Sequence, residues 1–450
     1  MLMTMQDSMG ALWKKFSFLS ASRFFLAVFL IFFPFQIRTL IYSAPVFSSG
    51  GFDEYTSFFI SLSDIFLLLA FLSWGFSYLR KERDWNFNFG EQTLTLFLLG
   101  FLAFMTVDVV FAQDKFLHLL TMFRFIELFL FYLMLVNDVL TPRQVIIFFL
   151  LGMSFQAITA VFQYMVQGSL GLTILGEPSA SIQTLGVAKI DIGSQKILRS
   201  FGTFPQANVL GGALFMAFLL SVMQVRKKLF FFLPFILLIG AGLVFSFSRS
   251  AFFALIVSFL VYISVNNNRV AIRYVLLLLT FLLFFIVIFH LEGIFFQRFL
   301  FDDLASTQER TLYLQISRDM LLSKPLGVGF GGFTFLMQGF TTTKLTPWLF
   351  QPVHNVFLLI ANELGIVAGI LFFGMFGYLF WDLLRFYRSA KTSHERHQGA
   401  LWVAMLLGLV TIFLFDHYFF SLFPGQVLLF LYLGLVSNFA SKARLPRRNS

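Results

Sequence analysis

The chain has 450 residues, of which 58% are apolar and 12% are charged, and phenylalanine alone supplies 69 positions. Soluble domains carry about 25% charged residues, so this composition excludes an ordinary soluble protein. The sequence contains no cysteine, which excludes disulfides, thiolate catalysis and cysteine-based metal sites.

Apolar runs long enough to cross a bilayer recur along the whole chain. They predict an all-α polytopic membrane protein with one integral membrane domain over residues 1–450. The first run follows two lysines and has no small-residue cleavage site, so we interpret it as a retained helix and not as a signal peptide. About twelve spans are predicted, at residues 24–41, 59–79, 93–111, 116–136, 144–166, 207–224, 229–246, 251–265, 274–290, 355–380, 401–419 and 426–440.

Lysine and arginine residues are divided unequally between the two sets of loops. One set, which includes both termini, holds 20 of the 32 basic residues, and the opposite set holds 11. Basic residues favour the cytoplasmic side, so we expect the first set and both termini to be cytoplasmic. The net charge of +10 is therefore a property of these loops and does not indicate nucleic-acid binding.

Two long connections, 167–206 and 291–354, lie on the predicted extracytoplasmic side, and long ordered loops usually carry function. The second contains an amphipathic helix, predicted at about residues 307–323. A capping box at 306–309 begins it, and Pro325 follows its end. Any chemistry is therefore expected outside the cytoplasm, beneath this surface helix.

Three arginines fall on the same predicted face of the membrane. Arg249 lies in a serine-rich turn between two spans, Arg199 ends the first long connection, and Arg310 lies in the surface helix. Three guanidinium groups can bind a diphosphate through paired hydrogen bonds. The alternatives are a headgroup anchor for Arg249, a surface charge for Arg199 and a local ion pair for Arg310.

A histidine stands at the start of the predicted span at 355–380. His354 can accept a proton from an attacking hydroxyl group, or it can be a hydrogen-bonded histidine of a turn. Glu363 lies within the same span, where a charge normally faces the protein interior and often has a function.

Three further patterns are weaker. Asp416 and His417 could share a metal ion with His354, but their spacing is not that of a metal motif, so no metal and no cofactor are predicted. The glycines at 327–332 match G-x-G-x-x-G, but they follow a helix outside the cytoplasm and indicate a tight turn. Arg124 and Glu127 are spaced as a structural ion pair within a span.

These pieces, in this order and on this face, resemble the O-antigen ligase and polymerase family over roughly residues 195–435. The resemblance rests on residues 199–213, 247–251, 309–310, 325–331, 354–358, 363–365 and 416–420.

The resemblance implies a metal-independent membrane glycosyltransferase with a GT-C-like fold, in the bacterial cytoplasmic (inner) membrane. Its donor would be a glycan on a polyprenyl diphosphate. Arg249 and Arg310 would hold the diphosphate, and His354 would act at the acceptor hydroxyl. The other residues expected to bind substrate are Arg199, Asn208, Asn355, Glu363, Asp416 and His417.

The acceptor stays open at this stage. Lipid A core would make the chain a ligase, a second lipid-linked glycan would make it a polymerase, and a protein side chain would make it a protein O-oligosaccharyltransferase. A flippase for lipid-linked glycans is the alternative from another class. Transporters, however, usually place their polar groups near the midplane in related halves, and no internal repeat is visible here.

Overall fold

The computed structural model describes residues 17–45, 53–84, 86–193, 195–224, 228–266, 269–300 and 304–444. Both termini, which are predicted to be cytoplasmic, lie outside the described residues.

Helices make up most of the described chain. In order they are α1 (Phe18–Phe32), α2 (Leu62–Leu79), α3 (Gln92–Asp108), α4 (Lys115–Val136), α5 (Pro142–Val166), α6 (Ala207–Gln224), α7 (Leu229–Ser246), α8 (Arg249–Asn266), α9 (Arg269–Ile288), α10 (Glu292–Leu300), α11 (Leu304–Ser323), α12 (Gly332–Leu336), α13 (Val356–Leu364), α14 (Ile366–Ser389), α15 (Ser393–Phe415), α16 (Tyr418–Ser421) and α17 (Phe423–Arg444). Two antiparallel hairpins pair β1 (Arg38–Ser43) with β2 (Ser57–Ser61) and β3 (Lys189–Ile192) with β4 (Gln195–Leu198).

Among the described residues, eight helices are long and apolar enough to cross a membrane. A ninth candidate span is the pair Val275–Ile288 and Glu292–Phe299, which is bent by 111°. Three shorter apolar helices, α1, α3 and α7, coincide with the other predicted spans. The fold is therefore that of a polytopic all-α membrane protein, with eight or nine candidate spans in place of the predicted twelve.

The predicted span 24–41 is wrong at its outer end. Helix α1 ends at Phe32, two residues before Pro34. Proline removes a backbone donor and disfavours the helical conformation of the residue before it. The chain then enters β1, which pairs with β2 so that Arg38 lies opposite Ser61. Hydropathy does not distinguish this apolar strand from the end of a helix, so the all-α prediction missed both hairpins.

The predicted span 355–380 is broken into α13 and α14. Gly365 separates them at φ 89°, a conformation that favours glycine. The predicted glycine turn at 327–332 packs into this break: the N–H groups of Val328 and Gly329 donate to the carbonyl of Glu363, at 3.1 and 2.8 Å. The tight-turn interpretation is confirmed, because Gly327, like Gly329, has a positive φ.

The core is built around α6, which is buried along nearly its whole length. A helix without a polar face must be enclosed by other helices, and α6 packs against α5, α7, α8 and α15. The predicted ion pair is confirmed, since Arg124 lies 3.6 Å from Glu127, and Arg124 also bonds Asp64. Helices α6, α8 and α13 begin on the predicted outer side, and α15 ends there. The ends of these four helices therefore frame one region.

Candidate active site

A cavity of about 380 Å³ opens among these helix ends. Among the described residues, five cationic side chains and one carboxylate, that of Glu309, line it. We call it the arginine cavity. The five cations are those of Lys189, Arg199, Arg249, Arg298 and Arg310, and His354 lines the same cavity.

Arg249 reaches the cavity because a very tight turn joins α7 to α8. Phe247 ends α7 in the left-handed conformation, at φ 46°. The N–H of Ser248 then donates to the Ser246 hydroxyl, and α8 begins at Arg249 itself. The guanidinium group is therefore held at the start of a helix, where backbone N–H groups favour an anion.

Arg199 is buried and held by fixed hydrogen bonds. Its Nε donates to the carbonyl of Ser246 at 3.0 Å, which ties it to the turn that presents Arg249. Its Nη2 donates to the side-chain oxygen of Asn208 at 2.6 Å. Asn208 in turn donates to Asp416 at 2.8 Å. Asn208 thus links a cation of the cavity to a carboxylate 208 residues later in the chain.

The arginines are close enough to affect one another electrostatically. Burial lowers the pKa of Arg199 well below its ordinary value, and the positive charges of Arg298, Arg249 and Arg310 lower it further. The carboxylate of Asp416 acts in the opposite direction and raises the pKa of Arg199. Like charges at close range repel, so the cavity favours an anion with more than one negative charge.

Arg310 is presented by the surface helix α11. The helix begins at Leu304, before the predicted capping box, and ends at Ser323 as predicted. Asp303, one of the acidic residues that could form the local ion pair with Arg310, lies outside the described residues. Tyr313 and Ile316 are fully buried on its inner side. This amphipathic packing holds α11 over the bundle and leaves Arg310 half-buried in the cavity wall.

His354 lies between two aromatic neighbours. Its ring stacks on Tyr313, with centroids 5.5 Å apart and planes at 6°, and it meets the ring of His417 edge-on at 5.1 Å. Burial, with a smaller contribution from Arg310, lowers the pKa of His354 to about 3. A hydrogen bond with the backbone of Pro352 acts in the opposite direction. His354 is therefore neutral at physiological pH, the state that can accept a proton.

Asp416 and His417 form the layer behind His354. His417 Nδ1 lies 2.7 Å from the hydroxyl of Ser421, and Asp416 accepts the backbone N–H of His417 at 3.0 Å. Burial raises the pKa of Asp416 to about 6, and burial lowers the pKa of His417 well below its ordinary value. The two residues do not line the cavity, but they contact residues that do: His417 meets the ring of His354, and Asp416 accepts from Asn208.

Two of the predicted site residues lie elsewhere. Asn355 is the N-cap of α13, where its side chain accepts from the N–H of Leu358 at 3.0 Å. The carboxylate of Glu363 faces the backbone N–H groups of Gly331 and Phe333. Both side chains hold the fold around α13, and the structure does not bring either of them into the arginine cavity.

Sequence reasoning missed Arg298 and Lys189. Arg298 lies in α10, which turns back sharply from α9 and brings its last turn to the cavity. Lys189 is the first residue of β3, in the first long connection, and it also lines the cavity. Their only signal in the sequence is that both are basic residues on the outer side, where such residues are scarce. Among the described residues, no three side chains of His, Asp or Glu come together as a metal site.

Residues 233–373 match the model of the O-antigen ligase family. The chain carries an O-antigen ligase domain. The resemblance predicted from the sequence is confirmed over this segment, and the family is one of membrane enzymes that transfer glycans as ligases or polymerases. No curated protein matches the chain at a significant level.

The O-antigen ligase domain contains Arg249, Arg298, Arg310 and His354. Arg199, Asn208, Asp416 and His417 lie outside the matched residues. The cavity is therefore completed by residues that precede the O-antigen ligase domain. Asp416 and His417, which follow the domain, support the cavity from behind, and the contact between Asn208 and Asp416 joins the two parts.

Proposed function

We propose that this protein transfers a glycan from a polyprenyl diphosphate to an acceptor on the outer face of the bacterial cytoplasmic membrane. The observation that carries the proposal is the arginine cavity, where four arginines and a neutral histidine converge. Three of the arginines and the histidine lie within the segment that matches a family of glycan-transferring enzymes. A diphosphate that leaves a sugar is the anion that such a cavity suits.

The donor diphosphate binds among the guanidinium groups. Arg249, Arg310 and Arg199 supply fixed donors before the reaction begins, so little reorganisation is needed when charge develops on the leaving group. The polyprenyl chain stays in the bilayer between helices, and the glycan projects beneath α11. The match with the family supports a lipid-linked donor.

His354 acts on the acceptor. Its neutral ring accepts the proton as the acceptor oxygen bonds to the anomeric carbon and the bond from that carbon to the diphosphate oxygen breaks. The electron pair of the broken bond leaves with the diphosphate, whose charge the arginines stabilise. A single displacement inverts the anomeric centre. No protein group needs to bond to the sugar in this scheme.

Reconstitution in liposomes tests the proposal. Purified protein is given undecaprenyl-diphosphate-linked glycan, and transfer is measured with lipid A core, a second lipid-linked glycan or a serine-containing peptide as acceptor. His354→Ala should lower turnover by about 10²–10⁴-fold while donor affinity changes little. Tyr387→Phe, far from the cavity on α14, serves as the control. A wild-type protein that neither binds the donor nor transfers its glycan would overturn the proposal.

A further inference from the structure

A second, polar cavity of about 80 Å³ lies next to the arginine cavity. Residues of the β1–β2 hairpin, the outer part of α4 and the 420–426 segment line it, so we call it the hairpin cavity. At roughly 10–15 Å³ per water on this measure, it has room for about six waters. One sugar ring displaces a similar number. The mechanism described above makes no use of this space.

The two cavities lie on either side of a wall, and the proposed base lines the arginine cavity and not the hairpin cavity. Tyr55 lines the hairpin cavity, and its hydroxyl accepts a hydrogen bond at 2.5 Å from Gln206, which lines the arginine cavity. Ser421 lines the hairpin cavity and bonds His417, whose ring meets His354. Pro352, two residues from His354, also lines the hairpin cavity.

The two cavities differ in charge. Both guanidinium groups of the hairpin cavity are paired with carboxylates of the surrounding structure: Arg38 bonds Glu54 through both of its terminal nitrogens, and Arg124 bonds Asp64. Among the described residues, five cations and one carboxylate line the arginine cavity. Glu54 and Glu363 also line the hairpin cavity, so a second anion is not favoured there. A neutral ligand with many hydroxyl groups meets carboxyl, amide, hydroxyl and aromatic side chains.

We infer that the hairpin cavity binds the acceptor, and that the acceptor presents a neutral sugar residue. This inference rests on the proposed function. An inverting displacement needs the attacking hydroxyl and the leaving diphosphate on opposite sides of the anomeric carbon. His354 lines the arginine cavity, and the hairpin cavity lies on the other side of the wall, beyond His417. The acceptor hydroxyl approaches from the hairpin cavity, gives its proton to His354 and bonds to the anomeric carbon, while the diphosphate leaves into the arginine cavity.

Thr121 offers a clean way to fill the hairpin cavity. It lines the cavity from α4, and its hydroxyl donates to the carbonyl of Leu117 in its own helix. A series Thr121→Ser, Thr121→Leu and Thr121→Phe fills the space progressively. Thr106→Phe is the matched control, because Thr106 also bonds its own helix, at Leu102, but lies on an exposed face of α3.

The experiment measures donor binding, donor hydrolysis without acceptor, and transfer from undecaprenyl-diphosphate-linked glycan to two acceptors, a neutral core trisaccharide and a serine-containing peptide. We expect the KM for the trisaccharide to rise at least tenfold from Ser to Phe, with donor affinity unchanged and Thr106→Phe like wild type. If Thr121→Phe does not fold, Thr121→Leu is used in its place, and we expect a smaller rise in the KM for the trisaccharide.

The outcomes separate the two proposals. An unchanged acceptor KM across a folded series, or transfer to the peptide alone, overturns the acceptor site but leaves glycan transfer standing. A wild-type protein that binds no donor and shows neither hydrolysis nor transfer overturns the proposed function, and the acceptor site with it.

Discussion

The imidazole of His354 lies parallel to the ring of Tyr313, with the centroids 5.5 Å apart. The Tyr313 hydroxyl donates to the carbonyl of Leu349 at 3.1 Å, which fastens α11 to the segment that carries His354. The helix that carries Arg310, the proposed phosphate ligand, thus also packs against the ring of the proposed base. We therefore expect donor binding and proton transfer to depend on the position of the same element.

Truncation of this stacking partner should lower turnover more than donor affinity. Ring pairs contribute about 0.5–1.5 kcal/mol beyond the burial of area. Tyr313→Ala should therefore reduce kcat by roughly tenfold, whereas Tyr313→Phe keeps the ring and should stay within about twofold of wild type. Steady-state kinetics with donor titration in liposomes checks this. Equal losses in the Ala and Phe variants would show that the hydroxyl, and not the ring, holds His354.

Arg249 should not tolerate lysine. Arg249→Ala removes a charge-assisted hydrogen bond worth roughly 1.5–3 kcal/mol, so donor affinity should fall about 10- to 100-fold. Arg249→Lys keeps the charge but loses the planar pair of donors, and it should remain impaired in both binding and turnover. Binding of labelled donor and single-turnover transfer are the measurements. Normal activity of the lysine variant would indicate a simple electrostatic role.

Asn208 should act through its two partners. Asn208→Ala leaves Arg199 and Asp416 without the side chain that joins them, and a lost buried partner costs about 1–3 kcal/mol. We expect a lower unfolding temperature and a weaker donor affinity together. Asn266→Ala is the control, since Asn266 lies at the opposite end of α8 and donates to the carbonyl of Tyr262. A variant with normal stability and affinity would contradict the linking role.

The pH dependence of turnover should report Asp416 and not His354. The Asp416 carboxylate accepts hydrogen bonds from Asn208 and from the N–H of His417 when it is ionised, and its pKa is raised to about 6. As the pH falls through about 6, protonation removes acceptor capacity, so turnover should decline. The pKa of His354, lowered to about 3, places its protonation below that range.

Asp416→Asn supplies the test of this assignment. The variant cannot titrate, so its kcat should be lower than that of wild type at neutral pH but flat between about pH 5 and 7. A persistent acid limb near pH 6 in this variant would assign the limb to another group.

Topology gives an independent check. The excess of basic residues in one set of loops predicts that the C-terminus is cytoplasmic and that the glycine turn is extracytoplasmic. Reporter fusions after Ser450 and after Gly331 should report opposite sides of the membrane. The same side for both would place the arginine cavity on the wrong face for a lipid-linked donor.

The sequence by itself determined the local features. Apolar runs, caps and tight turns depend on neighbouring residues, so the helices, the turn before Arg249 and the surface helix with Arg310 could be predicted. The same reasoning placed His354 at the entrance to a helix. It failed at α1 and at Gly365, because an apolar strand and a glycine break both satisfy hydropathy as well as a continuous span does.

Only the tertiary structure decided which side chains meet. Asn208 and Asp416 are 208 residues apart, and no periodicity in the sequence pairs them. Arg298 enters the cavity because α10 bends back on α9, whereas Glu363 turns to backbone N–H groups and away from it. Such contacts follow from how whole helices pack against α6, and packing depends on shape complementarity over the entire bundle, which local residue patterns do not encode.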